Sequence, residues 1–377
     1  MKPRLQTVLF GAGLPLALVI LLSPLLALAL PGTWKRHVYH EIAFQILART
    51  LPDAHRPEDA VREAMDYTRR HLWLMDNPRP YSGRSFDYLI EGIGWCDYHT
   101  KVFCNLLAAK GIHCRYAFLK DAQGNSPHTI AEVYVRGRWR AVDPFFHVIY
   151  MNRAGEWATL EELTPELVAE QQEVKLLAST TTELDENILQ ISQKTFPPPI
   201  PPQRSDDFVK DRSLFDDITD LYVRLFGQPF ANWYQDRILE QELAGTTDPA
   251  DRLWHQARQY HLFRRLEQAE PIYRQLLAQH LGGQKYRERV VLFLARLLLR
   301  EKRFEEARGI LKGFAADERN ATKPWPNFQL ALCYEGLGQT AEAQQYFERY
   351  RQLHGKKFAV EALKHLAKLP GNPPRIR

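Results

Sequence analysis

The chain is poor in cysteine and in net charge. Four cysteines among 377 residues are too few and too scattered for a disulfide framework. Cys96 and Cys104 stand eight positions apart on one predicted helix, about 12 Å along its axis, beyond the reach of a bridge. Cys104 falls on the apolar side of that helix and Cys333 inside a repeat helix, so both read as core thiols. Pairing of Cys114 with Cys104 in an oxidising compartment is left open. A formal net charge of +5, from 50 basic and 45 acidic residues, argues against a dedicated nucleic-acid protein. Metal ligands are sparse too. His99 follows Cys96 at C-x-x-H spacing, with Cys104, His113 and Cys114 nearby, but no second compact pair follows at zinc-finger spacing, so neither metal nor cofactor is expected.

The longest local absence is of charge, from Thr7 to Thr33, where most positions are Leu, Ala, Val, Ile or Phe. A membrane-spanning helix needs about 20 such residues. Two readings compete: an uncleaved anchor, or a signal peptide cut after Ala27-Leu28-Ala29. The run exceeds the roughly 7–15 apolar residues of a signal core, which favours the anchor. Lys2 and Arg4 before it are nearly balanced by Lys35 and Arg36 after it. The expectation is a single-pass, N-in protein of a bacterial inner membrane with its bulk in the periplasm; secretion after cleavage is the alternative.

The stretch from Gly94 to Pro144 carries the chemistry. From Cys96 to Gly111, apolar residues at Val102, Phe103, Leu106, Leu107 and Ala109 recur with a helical period, and Gly111 stands where a helix stops. Cys96 therefore lies at the helix start, where unpaired N–H groups and the positive end of the dipole favour a thiolate. Short β-branched and aromatic runs follow at Arg115 to Leu119, Thr129 to Val135 and Arg138 to Val142, with Arg136-Gly137 as a turn. His128 lies just before one strand and Asp143 just after the next, so a hairpin would set imidazole beside carboxylate. A cysteine facing a histidine oriented by an acid is what nucleophilic acyl transfer requires, and the Cys96 N–H can help bind an oxyanion.

These residues resemble the transglutaminase-like superfamily, relatives of the papain fold. The matching pieces are Gly94 and Cys96; Leu107, Gly111, Ile112 and Arg115; His128, Glu132, Val133 and Tyr134; and Gly137, Trp139, Asp143 and Pro144. The resemblance covers Arg56 to Leu163. It departs where the family often has H-A-W and this chain has His128-Thr129-Ile130, and where an Ala often follows four after the cysteine and this chain has Thr100. It implies an α+β, papain-type domain of helices on an antiparallel sheet, with a triad of Cys96, His128 and Asp143.

Around this core, Trp34 to Leu51 and Pro57 to Leu74 predict helices, and Asp76 to Arg84 predicts a loop whose Arg79, Tyr81 and Arg84 read as solvated residues or as a cleft lining. Trp157 to Leu163 predicts a capped helix start in which Thr159 pairs with Glu162. Phe196 to Pro202, F-P-P-P-I-P-P, reads as a stiff spacer, and Ser205 to Leu243 as helical. The last third repeats. Ala269, Ala307 and Ala343 each have an Ala twelve positions earlier (Ala257, Ala295, Ala331) and a large residue nine earlier (Tyr260, Leu298, Tyr334). The pattern resembles tetratricopeptide repeats, an all-α array presenting a surface to a protein partner. The expected order is an anchor at 1–33, the transglutaminase-like domain at 34–170, a polar and Pro-rich linker at 171–204, a helical connector at 205–249 and repeats at 250–377. The expected function is a membrane-anchored cysteine enzyme acting on a protein or peptide through a Cys96 thioester. A catalytically silent scaffold of a cell-envelope complex is the alternative.

Overall fold

The computed structural model describes residues 17–27, 29, most of 43–51, 56–72, 85–173, 200–205 and 214–354 apart from 281–282 and 322. The loop residues Arg79, Tyr81 and Arg84 lie outside the described residues.

The membrane-spanning helix expected near the N-terminus is corrected. Among the described residues no helix is long and apolar enough to cross a membrane. The run shows a single turn at 17–21 and the five-residue helix α1 (Ser23–Ala27). Pro24 follows the break at Leu22, and a proline lacks the N–H that would carry a helix across that point. The membrane contact, the single-pass topology and the anchored form of the enzyme drawn from this run fall with it.

Helices α2 (Pro57–His71), α3 (Ser85–Glu91) and α4 (Cys96–Ala109) lie before the sheet strands. Helix α2 opens on Pro57, which suits a first helical position, and carries Glu58 and Asp59 in its first turn and Arg69, Arg70 and His71 in its last, matching its dipole. Helix α4 ends where predicted, because Gly111 adopts φ +76°, a conformation open to glycine. Strands β1 (Cys114–Lys120), β2 (His128–Val135), β3 (Arg138–Asp143), β4 (Val148–Ile149) and β5 (Ile200–Ser205) form an antiparallel sheet ordered β4-β3-β2-β1-β5. The β2–β3 turn falls on Arg136 and Gly137, both with positive φ.

One sheet face packs on α4. Ala131, Val133 and Val142 share a core with Val102, Phe103, Leu106 and Leu107. The opposite face buries Ile130 and Ala141 against Phe146, Tyr150, Leu160 and Val168. There Thr159 and Glu162 make the predicted contact, the carboxylate accepting the Thr159 N–H at 2.9 Å, although only a 3-10 turn, Leu160–Glu162, follows before helix α5 (Pro165–Glu173).

The Pro-rich spacer is revised. Ile200–Ser205 forms β5, antiparallel to β1. Prolines cannot donate to a ladder, and an edge strand is the place in a sheet that tolerates this. Arg204 fixes the strand, its Nε donating at 2.6 Å to the buried Glu132 carboxylate that Arg115 also holds at 2.9 Å. Cys104 and Cys114, the first of these read as an inert core thiol, are joined in a disulfide with Cα atoms 5.4 Å apart, tying α4 to β1.

Helix α6 (Leu214–Leu243) is kinked at Gly227, two residues before Pro229. Among the described residues three helix–turn–helix units follow: α7 (Pro249–Leu262) with α8 (Leu266–Ala278), α9 (Gly283–Arg300) with α10 (Phe304–Ala315), and α11 (Pro324–Gly336) with α12 (Thr340–His354). All six alanines of the sequence pattern are fully buried. The turns repeat as well. Arg264, Lys302 and Gly338, each five residues before its unit's second alanine, have positive φ. The next residue's N–H returns to the carbonyl of Tyr260, Leu298 or Tyr334 at 2.8–2.9 Å, the closure that ends a helix with a left-handed residue.

Candidate active site

Cys96 is the first residue of α4. Trp95 before it is extended and offers no side-chain cap, and the Asp97 carboxylate instead accepts its own N–H and that of Tyr98 in the first turn. Thr100, one turn on, donates its hydroxyl to the Thr129 carbonyl at 3.2 Å. This bond ties the helix to β2 next to His128 and joins the two positions where the sequence departs from the family pattern. It was not legible in advance, since it links residues 29 apart.

The β2–β3 hairpin sets His128 against Asp143. Nε2 of His128 and Oδ2 of Asp143 are 2.6 Å apart, with both side chains 0 % exposed. Asp143 is held from three further directions. Its Oδ1 accepts the N–H groups of Phe145 and Phe146, each at 3.0 Å, and its Oδ2 accepts the Tyr150 hydroxyl at 3.2 Å. The two backbone contacts are an Asx turn, foreshadowed by Asp143-Pro144. Tyr150 had no sequence signal.

With Nε2 engaged, the His128 Nδ1 is buried and makes no hydrogen bond among the described residues. The Cys96 sulfur is the other group that acts on the ring. Burial, the strongest single influence, disfavours the imidazolium. The Asp143 charge, its hydrogen bond and the Cys96 sulfur together outweigh burial and hold the His128 pKa well above the ordinary imidazole value. Phe145 and Phe146 pack on the imidazole at 6.2 and 5.2 Å between ring centroids.

His99 takes a structural position. Its Nδ1 donates to the Trp95 carbonyl one turn back at 2.9 Å, and its ring meets Phe145 edge-on. Burial pushes its pKa down to about 4, so it is neutral. Among the described residues no group of three or more His, Cys, Asp or Glu side chains is arranged to hold a metal ion.

Residues 43–144 match the family model of the transglutaminase-like superfamily. This segment is a transglutaminase-like domain. No curated protein and no solved structure matches the chain. The match spans the α4 start, the whole β2–β3 hairpin and Asp143, and it ends before Tyr150 and before every helical unit. At the level of the superfamily it supports a cysteine-based site in this transglutaminase-like domain, with the buried His128–Asp143 pair beside Cys96.

Proposed function

We propose that the transglutaminase-like domain is a cysteine acyl-transfer enzyme acting on a protein or peptide. Cys96 attacks a carboxamide or peptide carbonyl after its thiol proton passes to His128, and Asp143 fixes the ring. The C–S bond forms, the C–N bond breaks and His128 returns the proton to the departing amine. Water or an acceptor amine then cleaves the thioester, which makes the enzyme a peptidase or amidase in one case and a cross-linking transferase in the other. The observation that carries this reading is the division of labour on the imidazole: one nitrogen is locked to a saturated carboxylate and the other is buried without a hydrogen bond, with the Cys96 sulfur interacting with the ring. The helical units suit the docking of a protein partner. The Cys104–Cys114 disulfide suits an oxidising compartment, where such bonds persist.

A second reading is a domain without turnover, a scaffold within a protein complex. Complete burial of His128 and Asp143 favours it, since a buried ion pair can serve structure alone. Alkylation separates the two. Cys96 and Cys333 are the free cysteines, and burial pushes the Cys333 thiol up to about 12, so Cys333 labelling reports unfolding. Under the enzymatic reading iodoacetamide modifies Cys96 rapidly at neutral pH, and His128→Ala slows it at least tenfold while Cys333 stays protected. A Cys96 rate indifferent to His128 leaves only the scaffold.

A further inference from the structure

The segment that delivers Cys96 is gripped by the helical units. Arg258 of α7 is 0 % exposed and reaches into the transglutaminase-like domain. Its Nε donates to the Ile90 carbonyl at 3.2 Å, and its Nη2 to the carbonyls of His71 and Leu89 at 3.0 and 2.6 Å. His71 ends α2, and Leu89 and Ile90 lie in the last turn of α3. Carbonyls at helix ends lack intrahelical donors and sit at the negative end of the dipole, so one guanidinium closes two helices. Its carbon lies 3.8 Å from the centroid of the Phe293 ring of α9.

The next residues are held in turn. Glu91 takes Arg289 of α9 at 2.8 Å. Gly92 has φ +72°, and a Cβ there would come within 2.7 Å of the Phe293 ring. Ile93 is buried in the core of the helical units, with Trp254 and Phe293. Three residues later comes Cys96. Beyond it Tyr98 stacks on Tyr88 of α3 at 4.0 Å, which closes the path back to the clamped helix. A buried guanidinium that carbonyls meet only at Nε and Nη2 stabilises little more than an apolar side chain of similar size, but it fixes geometry in a way that an apolar side chain does not.

We propose that Arg258 and Phe293 are positioning residues for Cys96, so that the helical units set the sulfur against His128. The inference rests on Cys96 being the nucleophile. It gives the units a part in the chemistry beyond docking, because a displacement of about 1 Å at a reacting group costs up to 10²-fold in rate.

The test uses the full chain and the iodoacetamide rate at Cys96, with Cys333 as the folding reference. Arg258→Met lowers the Cys96 rate at least tenfold with Cys333 protected, and Arg258→Lys recovers part of it. In a His128→Ala background Arg258→Met causes no further fall, because its effect passes through the Cys96–His128 geometry. A Cys96 rate within twofold of wild type in folded Arg258→Met overturns the proposal, and so does an equal fall in both backgrounds. If Arg258→Met exposes Cys333, Phe293→Leu, which keeps the arginine and an aliphatic core, is judged by the same two criteria. If Cys96 in the unaltered chain is itself indifferent to His128→Ala, it is the nucleophile reading that fails, and the two failures are thereby distinguished.

Discussion

Asp143→Asn isolates what the carboxylate does to the imidazole. The two side chains have the same shape, and an asparagine carbonyl oxygen in the place of Oδ1 keeps the N–H groups of Phe145 and Phe146. Its NH2 then faces His128 Nε2 and the Tyr150 hydroxyl, both now held by Oδ2. A donor facing Nε2 makes that nitrogen an acceptor and moves the ring proton to Nδ1. The base is then blocked in the wrong tautomer. Burial, no longer opposed by the Asp143 charge, also pushes the ring pKa down from its raised value. General-base assistance contributes roughly 10²–10⁴ in rate, so alkylation of Cys96 at neutral pH falls about 10²-fold or more. Loss of a charged hydrogen bond costs about 1.5–3 kcal/mol of stability. The sign with pH follows from the raised folded pKa of His128. The pair's stabilisation is full below the unfolded imidazole value of about 6.5 and is lost as pH rises through the folded value, so the variant's deficit shrinks in alkali. The assay is the iodoacetamide rate read on the Cys96 peptide, with imidazole tautomers followed by nitrogen NMR. A folded Asp143→Asn protein whose Cys96 reacts within threefold of wild type refutes the reasoning.

Arg204→Ala removes the bonds to Glu132 and Glu161 that fix β5. Glu132 keeps Arg115, so the loss is about 1.5–3 kcal/mol, the net value of a hydrogen bond to a charged group, and hydrogen exchange rises selectively along the β1 edge; unchanged protection there counts against β5 as a paired strand. Acid weakens the junction between the domain and the helical units. His71 and His261 meet at 5.3 Å, and burial, with the charge of Arg258, pushes both well below the ordinary value. As pH falls below about 6.5 the unfolded chain takes up protons that the folded one refuses, so stability is lost on acidification. The urea midpoint drops between pH 7.5 and 5, and His261→Gln reduces that drop; a midpoint flat across this range contradicts the assignment.

Cys96, His128 and Asp143 were legible as candidates because each stands at an element boundary marked by short-range signals. Cys96 opens a run of helical period that Gly111 ends, and Arg136-Gly137 marks the turn that brings the ends of β2 and β3 together. The helical units were legible for a similar reason, since a pair of alanines twelve positions apart in each unit is a local pattern. What was missed depends on long-range placement. Charge-free length suggested a helix from Thr7 to Thr33, but composition does not register the break at Leu22 and Pro24. Proline content made Phe196 to Pro202 look like a spacer, because the edge of β1 that accepts Ile200–Ser205 lies some 80 residues earlier in the chain. Tyr150 and Thr100 carry no local signature, and the geometry around Asp143 and His128 is what gives them meaning.

The same contrast bears on where this domain ends. The family match stops at residue 144, and the sequence alone suggested a boundary near 170. Yet Ala231, Tyr234 and Ile238 of α6, with Leu262 and Phe263 at the end of α7, are buried in one core with Leu72, Phe86 and Leu89. Tyr67 of α2 donates its hydroxyl to the Leu262 carbonyl. In the other direction Ile93 leaves that core and enters the one built by α7 to α11. Each core is therefore completed by a piece of the other. A piece ending near 170 would expose the apolar ends of α2 and α3 and leave the carbonyls of His71, Leu89 and Ile90 without Arg258. Those carbonyls lie within a few residues of Gly94, so the loss would fall on the segment that places Cys96. In this chain the unit that folds, and under the proposed chemistry the unit that reacts, is larger than the unit that sequence similarity detects.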